Sequence, residues 1–181
     1  MAIVPDNKDW TWVLERRCLE CGFASSELPR DQIAPMIRAN AQAWRDILAD
    51  DPVQLRLRER DDRWSRLEYA CRVRDVFRIF DERLNLMLTS DDPTYENWDQ
   101  DRTASQDRYG DQDPQAVGAE LSKAAGILAG DFDRVEGAAW LRRGTRSDGA
   151  KFTVQSIGRY ALHDVVHHLH DVAGDSPTPA S

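Results

Sequence analysis

The stretch that decides the fold is Leu162-His163-Asp164-Val165-Val166-His167-His168-Leu169-His170-Asp171, near the C-terminus. Its apolar residues recur at spacings of three and four, which is typical of an amphipathic helix. All four histidines of the chain lie in it. Because residues four apart are neighbours on one helix face, His163 and His167 can point two imidazoles at one ion. His170 and Tyr160 continue the same stripe.

Three further segments show helical periodicity. The four predicted helices run from about Pro29 to Asp50, Ser65 to Leu88, Pro114 to Val135 and Thr153 to Val172. Asp113 precedes Pro114, which is the preferred order of a cap and a first-turn proline, and Thr153 is the expected N-cap of the last helix. Sheet signals are nearly absent: Gly144 to Lys151 is interpreted as a turn-rich loop, and Asp51 to Leu57 alternates only weakly. The pattern therefore predicts an all-α fold.

The connection between the second and third predicted helices, Thr89 to Asp113, is unusually long. A structureless loop of that length is uncommon inside a compact domain unless it is functional or packed. Tyr95, Trp98 and Tyr109 lie within it, so we expect a crossover that packs on the bundle. The whole chain is divided into an N-terminal extension packed on the bundle (1–28), the bundle (29–174) and a disordered tail (175–181).

Composition limits the classes of function. The chain has 181 residues, which suits one domain, and a net charge of −8 from 32 acids and 24 bases. The arginines alternate with acids and form no basic stripe, which argues against nucleic acid and an anionic membrane surface as partners. The first residues show no signal-peptide pattern, and no apolar run approaches the roughly 20 residues that span a bilayer. We therefore expect a cytoplasmic protein with reduced cysteines. Abundant alanine, arginine and aspartate with scarce lysine suggest a bacterial source.

Two segments carry a resemblance to a known family. They are Trp64-Ser65-x-Leu67-Glu68-Tyr69-Ala70-Cys71 followed by Val73-Arg74-Asp75-Val76, and Asp148-Gly149-x-x-Phe152-Thr153-Val154 followed by Tyr160-x-x-His163-Asp164-x-x-His167-His168-Leu169. In this order they resemble the DinB-like superfamily, which includes mycothiol-dependent maleylpyruvate isomerases, and specifically an actinobacterial type of member. The resemblance covers about Asn40 to Val172.

The resemblance implies a four-helix bundle of up-up-down-down topology with one long crossover between helices two and three. It implies a divalent metal held by one residue of the second helix and two of the fourth, His163 and His167 here. Some relatives are thiol S-transferases or isomerases that use a low-molecular-weight thiol. The resemblance thus implies a metal-dependent enzyme acting on a small molecule, with zinc, nickel or iron as the metal.

Arg72 departs from the family pattern, because relatives carry a histidine at this position of the second helix. A guanidinium has no lone pair for a metal. Three alternatives follow: the metal is lost and Arg72 pairs with Asp75, Glu68 or Asp164; Glu68 or His170 supplies the third ligand; or Arg72 binds an anionic substrate together with the histidines. Arg72 and Tyr160 are the expected substrate-binding residues. The first alternative corresponds to a non-catalytic binding or regulatory bundle. A homodimer that uses the long loop is a further hypothesis.

A separate motif, Cys18-Leu19-Glu20-Cys21-Gly22-Phe23, resembles one half of a zinc knuckle. A site of four cysteines is impossible within one chain, because only Cys71 remains. Cys18 and Cys21 could form a second metal site with a histidine or an acid, a redox dithiol, or a pair of reduced cysteines packed on the bundle. Cys71, on an apolar helix face, is predicted to be a buried small hydrophobic residue.

Overall fold

Four long α-helices form the frame of the molecule in a computed structural model, which describes residues 9–173. The four long helices are α1 (Ile33–Ile47), α3 (Arg66–Thr89), α5 (Pro114–Asp133) and α6 (Val154–Ala173). Two short helices, α2 (Pro52–Arg56) and α4 (Gln100–Gln106), lie in the connections between them. Helices α1 and α3 each pack against both α5 and α6. The predicted four-helix bundle is therefore confirmed, and α1, α3, α5 and α6 are its four members.

The helix starts follow from capping residues in the sequence. Ser65 Oγ accepts from the Glu68 amide at 3.2 Å, and the Glu68 carboxylate accepts from the Ser65 amide at 2.8 Å, which makes a capping box. Asp113 accepts from the Ala116 amide at 2.9 Å, and Thr153 Oγ1 accepts from the Ser156 amide at 3.1 Å. Three of the four starts are thus confirmed within one residue.

Helix α1 begins at Ile33, later than the predicted start at Pro29, after a 3-10 turn over Arg30–Gln32. Pro35 has no amide hydrogen and is tolerated only in the first turn of a helix. It therefore fixes the start of α1 close to its own position. The predicted C-terminal stop at Gly174, the tail 175–181 and residues 1–8 lie outside the described residues.

The core lies between the four long helices. Trp44, Leu67, Phe77, Leu121 and Ile157 are each no more than 1% exposed. A completely buried side chain of this size contributes about 1.5–3 kcal/mol relative to an exposed one. Cys71 is also buried, as predicted. Within residues 9–173, no helix is both long enough and apolar enough to span a bilayer.

A small three-stranded sheet accompanies the helices, and the sequence analysis did not predict its strands. Strands β1 (Thr94–Tyr95), β2 (Arg143–Arg146) and β3 (Lys151–Thr153) lie in that order, β1 parallel and β3 antiparallel to β2. The predicted turn-rich loop is the hairpin β2–β3, whose turn places Gly149 at φ +92°. Strands of two to four residues are too short to show a period of two.

The weak alternation over Asp51 to Leu57 is also not a strand. Those residues include α2, which Asp51 caps by accepting from the Val53 amide at 2.7 Å. A proline at the first helical position favours this local helix. The alternating apolar and polar residues of this stretch therefore belong to a short helix and not to a β-strand.

The long crossover between α3 and α5 is folded onto the bundle, as predicted. It contains β1, α4 and a 3-10 turn at Tyr109–Asp111. Tyr95 and Tyr109 are buried, and the Tyr109 hydroxyl donates to Asp75 Oδ2 at 2.6 Å. This packing brings Asn97 to Arg102 close to α6, where they form one wall of a pocket.

Candidate metal centre

The N-terminal segment packs on α6 and contains a tight turn that holds both cysteines of the Cys-x-x-Cys motif. Its 3-10 turns at Thr11–Leu14 and Ser25–Glu27 both pack on α6. The Cys18 amide donates to the Phe23 carbonyl and the Gly22 amide to the Cys18 carbonyl, both at 2.9 Å. Gly22 lies at φ +74°, a conformation that glycine adopts without a steric penalty.

This turn brings the cysteines to the two histidines of α6. One ligand atom from each of Cys18, Cys21, His163 and His167 lies within 4.8 Å of every other. Cys18 Sγ is 3.8 Å from His167 Nδ1. His163 and His167 lie on one face of α6, with ring centroids 5.3 Å apart. Two sulfur and two nitrogen donors therefore surround a common point.

The donors fit a metal ion. Two cysteines and two histidines are a common ligand set of zinc, and thiolates select soft or borderline metals. Nε2 of His163 is buried and has no hydrogen-bond partner among residues 9–173. Leaving such an atom unsatisfied costs about 1–3 kcal/mol, and coordination to a metal would remove that cost.

The protonation of the cluster is set mainly by burial. Burial, with a smaller effect of the neighbouring His167, lowers the pKa of His163 to about 4. The ring is therefore neutral at pH 7 and offers a lone pair. Burial raises the pKa of the Cys21 thiol to about 11. A metal must therefore displace the thiol proton when it binds, as metal ligation by cysteine generally requires.

The structure combines two predicted sites into one. The sequence predicted His163 and His167 as one pair and Cys18 and Cys21 as a second site, with a histidine as one of the partners considered. The two motifs lie far apart, with Cys18 and His167 separated by 149 positions. Each motif offered two ligands where zinc takes four. The incomplete ligand set of each motif was the only signal in the sequence that could have assigned both motifs to one site.

Neither residue predicted as the third ligand joins the cluster. Glu68 accepts hydrogen bonds from the guanidinium of Arg58, one of them from Nε at 2.8 Å, and from the Ser65 amide. Its carboxylate is therefore committed to the start of α3. His170 is exposed at the far end of the histidine stripe. The two cysteines provide the remaining donors instead.

Arg72 takes part in a separate polar network beside the cluster. Its Nε donates to His168 Nε2 at 2.6 Å, and its guanidinium is 3.8 Å from Asp164. The guanidinium also contacts the rings of Trp64 and Trp98, 5.4 and 5.6 Å from their centroids. Of the three partners expected for Arg72 if the metal is lost, the structure shows Asp164. The pairing does not remove the metal site, because that site uses other donors.

The charges of this network keep Asp164 ionised. Burial alone would raise the pKa of its carboxyl group. The positive charge of Arg72 and the close His168 imidazole, whose Nε2 lies 2.9 Å from Asp164 Oδ1, outweigh burial and hold that pKa well below its usual range. An ionised carboxylate paired with a buried arginine is the arrangement that makes such burial tolerable.

A pocket of about 760 Å³ adjoins the cluster, within the size range of sites for small molecules. The side chains that line it are largely polar, with two indole rings and a phenol: Asp9, Trp10, Arg72, Asn97, Trp98, Asp99, Gln100, Asp101, Arg102, Arg146, Asp148, Tyr160, His163, Asp164, His167 and His168. The predicted substrate-binding residues Arg72 and Tyr160 thus lie in the same pocket as both histidines. Arg146, which the sequence analysis missed, donates to the Tyr160 hydroxyl at 3.4 Å.

The architecture places the chain among helical bundles with the DinB-like fold. The matching solved structures include YfiT from Bacillus subtilis, described as a probable metal-dependent hydrolase with an unusual four-helix bundle topology. It aligns with a TM-score of 0.71 and 17% identity over 80% of this chain and 86% of its own.

Two structures of a mycothiol-dependent maleylpyruvate isomerase, one of them a point mutant, also match. Their TM-scores are 0.62 and 0.65, with 13% and 14% identity over 87% and 80% of this chain. The chain spans only 64% and 61% of the length of those isomerase chains. No family model and no curated protein matches the sequence. At these identities the likeness establishes the fold.

Proposed function

We propose that this chain is a metal-dependent enzyme that acts on a small molecule in the pocket beside α6. Cys18, Cys21, His163 and His167 would hold the metal, which the donor set favours as zinc. The observation that carries the proposal is the convergence of these four donors, two of which, His163 and His167, also line a pocket of about 760 Å³. A metal site remote from any cavity would favour a purely structural role.

The class of reaction we propose is transfer or isomerisation assisted by a low-molecular-weight thiol. The shared fold supports it, because one neighbour is a mycothiol-dependent isomerase and another a probable metal-dependent hydrolase. A bound zinc ion would supply Lewis acidity and would lower the pKa of a coordinated thiol. The volume of the pocket is sufficient for a small thiol and a small substrate together.

The residues of the pocket would bind and orient the substrate. Arg146 is held by Asp148 at 2.8 Å and also donates to Tyr160. Its guanidinium is well placed to bind a carboxylate or an enolate oxygen. Trp10 packs on His163 and His167, with ring centroids 5.4 and 5.2 Å away. This indole would exclude water from the donor cluster.

The donor count supports a second candidate function. Structural zinc sites are closed by four protein ligands, whereas catalytic sites usually keep one open position. If all four donors stay bound, the metal fastens the N-terminal segment to α6, and the protein is a binding bundle stabilised by metal. The two candidates differ in whether an added thiol reaches the metal.

Metal content tests the site common to both candidates. We expect about one zinc per chain by elemental analysis of protein purified without an affinity tag or added metal. The double variant His163→Ala, His167→Ala should contain none. His170→Ala is the matched control, since it removes an exposed histidine from the same helix and should leave the metal content unchanged. A metal-free wild type after zinc incubation would contradict the proposal.

Cobalt substitution separates the two candidates. Co²⁺ bound by two cysteines gives a sulfur-to-metal charge-transfer band whose intensity grows with the number of sulfur ligands. Adding N-acetylcysteine should increase that band by about half if the metal accepts a third sulfur, whereas its S-methyl derivative should not. An unchanged spectrum at saturating thiol would contradict the enzyme proposal and favour the structural metal.

A further inference from the structure

The two ring nitrogens of His167 face different chemical environments. Nδ1 lies 3.8 Å from Cys18 Sγ, on the side of the donor cluster. Nε2 lies 3.4 Å from Glu20 Oε2 and 3.8 Å from Asp171 Oδ1. One nitrogen therefore faces the donors, and the other faces two carboxylates.

We propose that Glu20 and Asp171 are positioning residues that hold the Nε2 proton of His167, so that Nδ1 is the atom that binds the metal. The inference rests on the metal centre of the proposed function. A neutral imidazole carries one N–H and one lone pair, and an ionised carboxylate only accepts hydrogen bonds. Two carboxylates beside Nε2 thus favour the tautomer whose lone pair points into the cluster.

Histidine ligands of metals usually donate their second N–H to a carboxylate, a carbonyl or water, which fixes the orientation of the ring and strengthens it as a ligand. Here the two carboxylates come from the two elements that form the site. Asp171 is one helical turn after His167 on α6, and Glu20 lies between the two cysteines of the turn. The residue that orients the histidine is thereby part of the same short loop as the sulfur donors.

Asp171 also joins the metal site to the network of Arg72. Its Oδ2 lies 3.3 Å from His168 Nδ1, and His168 Nε2 accepts from Arg72. The side chain of Asp171 is 21% exposed, compared with 57% for Glu20. Asp171 is therefore the more buried carboxylate and contacts a second histidine, whereas Glu20 is closer to Nε2 of His167 and more exposed.

His163 shows the opposite arrangement, which gives the proposal an internal contrast. Its Nε2 is the buried atom without a partner among the described residues, so Nε2 is the atom available to the metal. The two histidines would then bind through different nitrogens, His163 through Nε2 and His167 through Nδ1.

Nuclear magnetic resonance of the zinc-loaded wild type tests the ligating atoms directly. Long-range ¹H–¹⁵N correlations should show His167 with a proton on Nε2 and the metal on Nδ1, and His163 with the reverse. A spectrum in which His167 Nε2 carries no proton and binds the metal would overturn the inference while leaving the metal centre in place.

Variants test the energetic part of the proposal. Glu20→Gln should weaken zinc binding about tenfold in chelator competition, and Glu20→Gln with Asp171→Asn by up to about 100-fold, the range for partners of metal-bound histidines. Glu15→Gln removes the same charge from an exposed position of the same segment and should change the affinity less than twofold. Far-UV circular dichroism checks that each variant is folded.

The outcomes separate the inference from the proposed function. A wild type that takes up no zinc would overturn the metal centre itself. A wild type that binds one zinc, with a double variant of equal affinity, would overturn only the roles of Glu20 and Asp171. Equal weakening in Glu15→Gln and Glu20→Gln would also overturn them, because it would show an effect of net charge alone.

Discussion

Arg72 replaces the histidine expected from the family pattern, and its surroundings show what the replacement does. The guanidinium is buried, contacts the rings of Trp64 and Trp98, and pairs with Asp164 and His168. Removing one partner of a buried pair leaves the other charge without compensation. At this position an arginine therefore has a structural role, whereas the candidate metal ligands lie in other parts of the chain.

We predict that Arg72→Ala lowers the free energy of unfolding by about 3 kcal/mol, the lower end of the range for breaking a buried ion pair. Urea denaturation of the metal-free protein measures it. Arg78→Ala is the matched control on the same helix, because Arg78 pairs with Asp75 and Glu120 but is 45% exposed. Exposed pairs contribute at most about 1 kcal/mol, so a loss as large in Arg78→Ala would contradict the interpretation.

The long helices contain two glycines with opposite surroundings. A Cβ at Gly158 of α6 would lie 2.8 Å from Phe132 and 3.0 Å from Ile33, whereas a Cβ at Gly126 of α5 would have no neighbour within 4 Å. Alanine is favoured over glycine in a helix by about 1 kcal/mol. We predict that Gly126→Ala raises the free energy of unfolding by roughly that amount.

We predict that Gly158→Ala instead lowers the free energy of unfolding by about 1–3 kcal/mol, because the added methyl group overpacks the contact of α6 with α1 and α5. Thermal or urea unfolding of both variants checks the pair. Stabilisation by both substitutions would show that Phe132 and Ile33 move aside without cost.

The packing of α3 on α5 brings together two acids. Burial, and next the nearby Asp131, raise the pKa of Asp81 to about 6. A folded-state pKa above the unfolded value contributes stability that is present below about pH 4. That contribution is lost as the pH rises through about 6. We predict that Asp81→Asn is more stable than the wild type at pH 7.5 and that the difference shrinks below pH 5. A difference that is constant between pH 4.5 and 7.5 in urea titrations would contradict it.

At the scale of the whole molecule, the metal would hold the N-terminal segment on the bundle. A ligand present at 100 times its Kd stabilises the folded state by about 2.7 kcal/mol, which for a chain of this size is roughly 5–10 °C in Tm. We predict that a chelator lowers the Tm by that amount. It should also release the segment from the bundle, so that trypsin cleaves after Arg16 and Arg17, whose side chains are accessible.

The control for this prediction is the double variant His163→Ala, His167→Ala, which should be cleaved in the same segment with or without the chelator. Added zinc should restore protection in the wild type only. Cleavage elsewhere in the chain, or protection that is independent of zinc, would show that contacts other than the metal hold the segment in place.

The sequence was sufficient for the bundle because its signals are local. The apolar spacing of α6, the capping box at Ser65 and the cap at Asp113 each depend on residues a few positions apart, which physical rules describe well. The strands were missed because β1–β3 have two to four residues each. Pairing with another strand stabilises such strands, and no pattern of their own reveals it.

The candidate site was predictable only in its parts. His163 and His167 share a face of one helix, so their proximity follows from the helical spacing. The proximity of Cys18 to His167 depends on how an irregular segment of 3-10 turns crosses α6, and no periodicity describes that path. The family resemblance placed the third ligand on the second helix, where Arg72 stands, and gave no indication of the N-terminal cysteines.

Asp9 and Trp10 line the pocket, while Cys18 and Cys21 belong to the same segment only a few residues later. Any molecule that binds against this indole would therefore select the same arrangement of the chain as the metal does. Binding free energies coupled in this way are reciprocal: a pocket ligand must tighten zinc binding by the same factor by which zinc tightens the ligand. Measuring the zinc affinity with and without a candidate molecule would therefore identify an unknown substrate as one that tightens zinc binding, without any assay of turnover.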